Sequence, residues 1–148
     1  MPDTAIEISF ADGVYRFWLG LPQVVELERV AGDKSLFQMH DEMGVGLGLT
    51  GEGPVYFGGC RAKATDVRET IRLGLIGGGS AMVDGEERTI KANRARELVD
   101  TYVFPKEDLV DSTYTAFQII DAAVQGTRLK KKAAADQTES LSPSEKGS

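Results

Sequence analysis

The segment from Thr65 to Gly79 constrains the fold more than any other part of this chain. Four of its residues fall on one face at helical spacing, namely Val67, Ile71, Gly74 and Leu75. Asp66 can cap the N-terminus of a helix, and Glu69 three residues later has the spacing of a capping box. The glycines at 77–79 tolerate positive φ and disfavour further helix. The segment therefore predicts a helix that begins at Asp66 and ends at these glycines.

A β-hairpin is predicted at the N-terminus. Apolar and polar residues alternate from residue 6 to residue 10, and again, less regularly, from residue 14 to residue 19. Asp12-Gly13 lies between the two runs and is a favoured two-residue turn. Two helices should follow the hairpin, one from Pro22 to Gly32 and one from Ser35 to Met43.

Two glycine-rich segments interrupt the periodic pattern. Residues 44–59 contain seven glycines in 16 positions, so we expect a flexible loop with at most a short strand at 55–57. Residues 77–85 are also rich in turn residues, and they should lead into a helix from about Glu87 to Tyr102. A last helix is predicted to begin at Pro105 and to end at Gly126.

Together these patterns predict an α+β fold that is mainly helical, with an N-terminal β-hairpin followed by four or five short helices. A length of 148 residues suits one domain. We assign residues 1–126 to a single compact domain, with 44–59 as a flexible insert. Residues 127–148 contain only Leu129 and Leu141 as large apolar side chains, so they are predicted to be a disordered tail.

Charge and hydropathy restrict the partners that this chain can have. Residues 1–126 hold 12 basic and 20 acidic residues, a net charge of −8. Such an acidic body disfavours direct binding to nucleic acid, which depends on neutralising phosphates. No apolar run approaches the ~20 residues that cross a bilayer, and the first residues do not resemble a signal peptide. We therefore expect a protein of the cytoplasm without a membrane partner.

The sequence offers no set of residues for catalysis. His40 is the only histidine and has acidic neighbours, so we expect it at the surface. Cys60 is the only cysteine; nearby Arg61 and Lys63 could lower the pKa of its thiol, but no base accompanies it. The glycines at 77–79 end a helix, whereas phosphate-binding glycines precede one. We predict no catalytic residue, no cofactor and no metal, and hence no enzyme.

Three segments resemble a phage-derived family that is found in gene transfer agents and in related tailed phages. The Asp66–Gly79 run is the most specific match. The others are Leu19–Glu28, at the junction of a strand and a helix, and Arg96–Val103, which precedes a helix led by proline and ending at Gly126. The resemblance covers roughly residues 5–126. The chain differs from the family pattern in the glycine-rich insert and in additional residues at Met82–Glu87.

This resemblance implies a role in tail morphogenesis, because the family is labelled as tail tube protein and is often interpreted as a tail assembly chaperone. We expect the chaperone, which binds the tape-measure protein, since the chain offers little β-structure. The alternative is a tube component that is retained in the particle. Other tail proteins and further copies of the chain are also left open as partners.

A chaperone of this kind would cover an amphipathic helix of the tape-measure protein with an apolar groove. The candidate partner-binding residues are Val67, Ile71, Leu75, Phe117 and Ile120. The alternative for these five residues is that they form the core of the domain.

Overall fold

The computed structural model describes residues 1–127, which form five helices and six strands. The helices hold 49% of these residues and the strands 20%, so the predicted α+β, mainly helical fold is confirmed. In chain order the elements are β1 (Ile6–Phe10), β2 (Gly13–Phe17), α1 (Leu21–Val30), α2 (Leu36–Gly44), β3 (Leu47–Thr50), β4 (Gly53–Tyr56), α3 (Ala64–Gly78), β5 (Ser80–Val83), β6 (Glu86–Thr89), α4 (Ala92–Tyr102) and α5 (Leu109–Gln125).

The main sheet is antiparallel, with the strand order β1-β2-β5-β6. Its first two strands are the predicted N-terminal hairpin, but Phe10 pairs with Gly13, so the two turn residues are Ala11 and Asp12. Gly13 belongs to β2 instead. A Cβ atom at this position would collide with the carbonyl oxygen of Met82 on β5. Glycine is therefore needed here for close contact between strands.

The second hairpin of this sheet, β5–β6, lies where the sequence predicted turns and the start of a helix. Ala81 and Val83 are buried and Met82 between them is exposed, which is the alternation of a half-buried strand. All four residues of β6 are exposed, so that strand has no apolar face. The predicted start of the next helix at Glu87 is wrong, because backbone pairing with β5 holds residues 86–89 as a strand. The helix begins at Ala92 and ends at Tyr102.

Helix α3 begins and ends differently from the prediction. It starts at Ala64, with Lys63 as its N-cap, and Asp66 lies inside the first turn. Gly77 and Gly78 are helical, and Gly79 ends the helix with φ +71°. Tertiary contacts explain both differences, since the Asp66 carboxylate bonds to Lys34 and the glycines lie against β2.

The glycine-rich insert contains a regular hairpin, β3–β4, which forms a two-stranded sheet of its own. At its tip the Thr50 hydroxyl donates to the carbonyl oxygen of Gly53 and accepts from the backbone N–H of Glu52. The sequence predicted a loop here because glycine-rich strands carry little apolar signal. That the insert is flexible stays a prediction.

The hydrophobic core surrounds α3, which contacts α1, α4, α5 and strand β2. Helix α5 starts at Leu109 rather than at Pro105, because the Asp108 side chain caps it by accepting from the N–H of Asp111. Thr127 donates to the carbonyl oxygen of Asp3, which joins the end of the described chain to its start. The predicted tail lies outside the described residues from position 128 onward. Within residues 1–127, no helix is long and apolar enough to span a membrane.

Candidate partner-binding groove

The five predicted partner-binding residues lie largely in the core. Val67, Ile71, Leu75 and Ile120 are 0–1% exposed. Phe117 is half-buried, with its ring centroid 5.0 Å from that of His40. Val67 also borders an open surface hollow. A role of these residues in partner binding stays a prediction, and their burial makes substitution at most of them a test of folding as well.

An apolar hollow of about 260 Å³ lies between the β3–β4 hairpin and the start of α5. The hairpin contributes Leu47 and Tyr56 to its wall, and α5 contributes Val110 and Thr113. Its third side is a segment that we call the lip (residues 60–64). The lip consists of the extended residues that lead into α3 and the first residue of that helix. Tyr56 is 53% exposed, so this wall is open to solvent.

A second hollow of about 240 Å³ continues from the first toward the C-terminal end of α4. Val99, Val103 and Phe104 line its far side. Three residues line both hollows, namely Ala64, Val67 and Leu109. Because the two hollows meet at these residues, we treat them as one groove. Leu109 and Phe104 are 44% and 56% exposed, which leaves apolar surface uncovered along it.

The lip alternates between side chains that line the groove and cations that face solvent. Cys60, Ala62 and Ala64 line the first hollow, while Arg61 and Lys63 between them are exposed. Neither cation forms an ion pair within residues 1–127. At the other end of the groove, Arg68 is neutralised by Glu69 and Asp100. The lip thus carries two cations that have no ionic partner among the described residues.

A network around Lys34 holds the lip in place. The Lys34 ammonium bonds to Glu42 on α2, at 2.9 Å, and to the buried carboxylate of Asp66 in the first turn of α3. The carbonyl oxygen of Glu42 in turn accepts from the backbone N–H of Arg61 and from the Cys60 thiol, each at 3.4 Å. The junction of α2 and α3 thus fixes the lip beside the groove.

The pKa shifts of Glu42 and Lys34 agree with this arrangement. The hydrogen bond from Lys34 holds the pKa of Glu42 below its ordinary value, with a smaller Coulombic contribution from Lys63. Burial opposes the charge of Lys34, but the bonds to Asp66 and Glu42 outweigh it and raise the pKa of Lys34. Glu42 and Lys34 are therefore both held in their charged forms.

His40 and Cys60, the two residues considered for catalysis, are both half-buried against neighbouring parts of the protein. His40 is half-buried rather than fully at the surface, and its Nε2 lies 2.8 Å from Asp121 Oδ1 on α5. Cys60 is half-buried at the groove wall. Among the described residues, no group of three or more His, Cys, Asp or Glu side chains could hold a metal ion.

The sequence reasoning missed the residues that line the groove, above all Tyr56, Phe104 and Leu109. Each lies at or beside the end of an element, where helical or strand periodicity carries no information. One local signal was present in the alternation of small and cationic residues from Cys60 to Ala64.

Comparison with known proteins gives one match. A family model described as "Phage tail tube protein, GTA-gp10" matches residues 3–126. No curated protein and no solved structure matches the chain. The matched range includes every helix and strand of the described chain.

Proposed function

This chain belongs to the family of phage tail tube proteins of the GTA-gp10 type, and on that premise we propose that it serves in the tail of a phage-like particle as a tube component. The observation that carries this proposal is the family match over residues 3–126. The description of the family agrees with the tube alternative better than with the chaperone that we expected from the sequence.

The main sheet supports a tube role because it leaves two strand edges open. Within residues 1–127, β1 and β6 are its outer strands. An open edge can pair with a strand of a neighbouring copy. Strand β6 is fully exposed and carries Glu86, Glu87 and Arg88, charges that disfavour such pairing. Strand β1 has Ile6, Ile8 and Phe10 and is the better candidate for a contact between subunits.

A second candidate function is a tail assembly chaperone that binds the tape-measure protein and leaves before the particle is complete. The helical fold favours it, since 20% strand is little for a subunit that joins its neighbours through sheets. The groove favours it as well, because an apolar trough suits an amphipathic segment of a partner.

Mass spectrometry of purified particles and of the lysate of producing cells tests the proposal. We expect this chain in the particles at an abundance near that of other multi-copy tail proteins, which serve as the internal control. Presence in the lysate together with absence from the particles would overturn the tube role and favour the chaperone. Absence of any defect in tail formation after deletion of the gene would contradict both.

A further inference from the structure

Strand β1 has an open edge whose backbone groups are free to pair. Its pairing with β2 begins with Phe10 and Gly13, which flank the two-residue turn and are a hydrogen-bonded pair. Because bonded and non-bonded pairs alternate along an antiparallel ladder, the backbone N–H and C=O groups of Glu7 and Ser9 point away from β2. Within residues 1–127, no other strand adjoins β1 on that side, and no backbone group of a turn or loop bonds to Glu7 or Ser9.

The side chains of β1 do not block a further strand. Edge strands are commonly protected by proline, lysine, a bulge or several charges, whereas the sequence of β1, Ile-Glu-Ile-Ser-Phe, holds the single charge of Glu7. Ile6 and Ile8 on its inner face are only partly buried against the core. Strand β6 differs in both respects, because all its residues are exposed and Glu86, Glu87 and Arg88 are charged. The β1 edge is therefore the one that a further strand would cover.

We propose that β1 of a second copy of this chain covers this edge, in an antiparallel two-fold pair that is centred on Ile8. In this register Glu7 of each copy faces Ser9 of the other, and their outward-pointing backbone groups bond to one another. Ile8 faces its own equivalent on the inner face, where the apolar rows of the two copies become continuous. The two four-stranded sheets thus join into one, which ends in a charged β6 edge on both sides.

The charges near β1 favour this register over its neighbours. A shift by two residues in one direction places Glu7 opposite Glu7 of the second copy, and like charges directly opposite each other destabilise a sheet. A shift in either direction also shortens the paired segment. In the centred register Glu7 lies between Ser9 of the other copy and Arg16, which it faces across β1 and β2. The flanking carboxylates of Asp3 and Asp12 face uncharged residues in the same register.

The proposal rests on the proposed function and deepens it by naming the partner of β1 before assembly. A two-fold pair closes on itself, whereas a ring needs each copy to use two different surfaces. The pair would therefore keep free subunits from joining through β1 until it dissociates.

Sedimentation equilibrium of the full-length chain tests the proposal. We expect a monomer–dimer equilibrium that is mostly dimer at about 100 µM, since a contact between two short edges is a weak interface. Ser9→Pro should give monomer at the same concentration, because proline removes an edge N–H that the pairing with β2 does not use. Circular dichroism checks that this variant is folded. A wild-type monomer at this concentration, or assemblies larger than a dimer, would overturn the proposal.

Opposite charges at the exposed position of Ser9 test the register. Ser9→Glu should weaken the dimer about tenfold, because the symmetry places a pair of glutamates on each side of Ile8. Ser9→Lys should tighten the dimer several-fold, since each lysine then faces Glu7 of the other copy. Thr65→Glu and Thr65→Lys make the same changes of net charge in the first turn of α3, and they should alter the dissociation constant less than about twofold. Equal effects of the two Ser9 variants would contradict this register.

Disulfide cross-linking gives an independent readout of the same contact. In a Cys60→Ser background, Ile8→Cys should link two copies under mild oxidation, because the Cα atoms of a non-hydrogen-bonded pair are about 4.5 Å apart. Val14→Cys, at an exposed position of β2, is the matched control and should stay unlinked. A dimer that does not link through position 8 would overturn the centred register.

These measurements are separate from the test of the tail role. Particle composition plays no part in them, so a monomeric chain leaves the tube role standing. Absence of the chain from particles would overturn the tube role without changing the measured dimer.

Discussion

At the scale of single residues, three glycines of α3 let the helix lie against strand β2. The backbone N–H of Trp18 donates to the carbonyl oxygen of Gly74 at 3.0 Å, and the Arg16 side chain donates to that of Gly78 at 2.9 Å. A Cβ atom at Gly78 would collide with the carbonyl oxygen of Arg16 on β2, and one at Gly77 with that of Trp18, directly after the strand. These glycines therefore set how closely helix and sheet approach.

We expect Gly78→Ala to destabilise the protein by about 2 kcal/mol, as in other overpacked sites. The direction of this change is informative, because helix propensity alone would make the alanine variant about 1 kcal/mol more stable than glycine. Urea unfolding monitored by circular dichroism measures the change. Gly51→Ala is the control, since its Cβ would meet open space and the change should stay within about 0.5 kcal/mol. A stabilised Gly78→Ala protein would contradict the close contact.

The Lys34 network gives a second prediction. Lys34→Met should destabilise the protein by about 3 kcal/mol, because it leaves the Asp66 carboxylate, 4% exposed, without its cation. Lys91→Met, at an exposed position, is the matched control. Equal unfolding free energies for the two variants would show that the network adds nothing to stability.

The destabilising effect of Lys34→Met should depend on pH. The folded pKa of Glu42 lies below its unfolded value, so its stabilising effect is complete above about pH 4.5 and is lost as pH falls through the folded pKa. The difference in unfolding free energy between wild type and Lys34→Met should therefore shrink in acid. Urea titrations at pH 7 and at pH 3 measure it.

At the scale of elements, the β3–β4 hairpin is the most independent part of the described chain. It forms its own sheet, and its base is closed by the N–H of Phe57, which donates to the carbonyl oxygen of Gly46 at 2.7 Å. Two strands alone are marginally stable. The hairpin therefore depends on the body of the protein, and α5 is the helix that β4 contacts.

Replacing residues 47–56 with Asn-Gly should leave the body folded, because Gly46 and Phe57 already have the hydrogen bond of a β-turn. We expect a loss of about 1 kcal/mol in unfolding free energy, since the strands bury little. Urea unfolding monitored by circular dichroism measures this loss. A collapse of cooperative unfolding would show that the hairpin is part of the core.

At the scale of the whole molecule, one core joins the main sheet to all five helices. The last described residue lies beside the N-terminal segment, where Thr127 donates to the carbonyl oxygen of Asp3 through both its backbone N–H and its hydroxyl. The assignment of residues 1–126 to a single compact domain stays a prediction.

Removal of residues 128–148 should leave the free energy of unfolding within about 0.5 kcal/mol of the full-length value. Urea unfolding of both chains at equal concentration measures the difference. Removal of Thr127 as well would cut the link to Asp3 and serves as a comparison. A large loss on removal of 128–148 alone would contradict the predicted domain boundary.

The sequence alone determined the elements that bury one regular face. The periodic apolar residues of α3 and the alternation in β1 were sufficient, because burial of such a face is the dominant stabilising effect and it fixes the type of element. The resemblance to the family was also visible in local sequence, above all in the Asp66–Gly79 run.

Only the tertiary structure decided what the glycines do. The same residue can end a helix, open a loop or permit close backbone contact, and Gly78 and Gly13 proved to be contacts with a strand. Strand β6 was likewise hidden, because it has no apolar face and is held only by pairing with β5. The groove depends on Tyr56 on one wall and on Leu109 and Phe104 on another, and these two segments, distant in sequence, come together only when the core has formed.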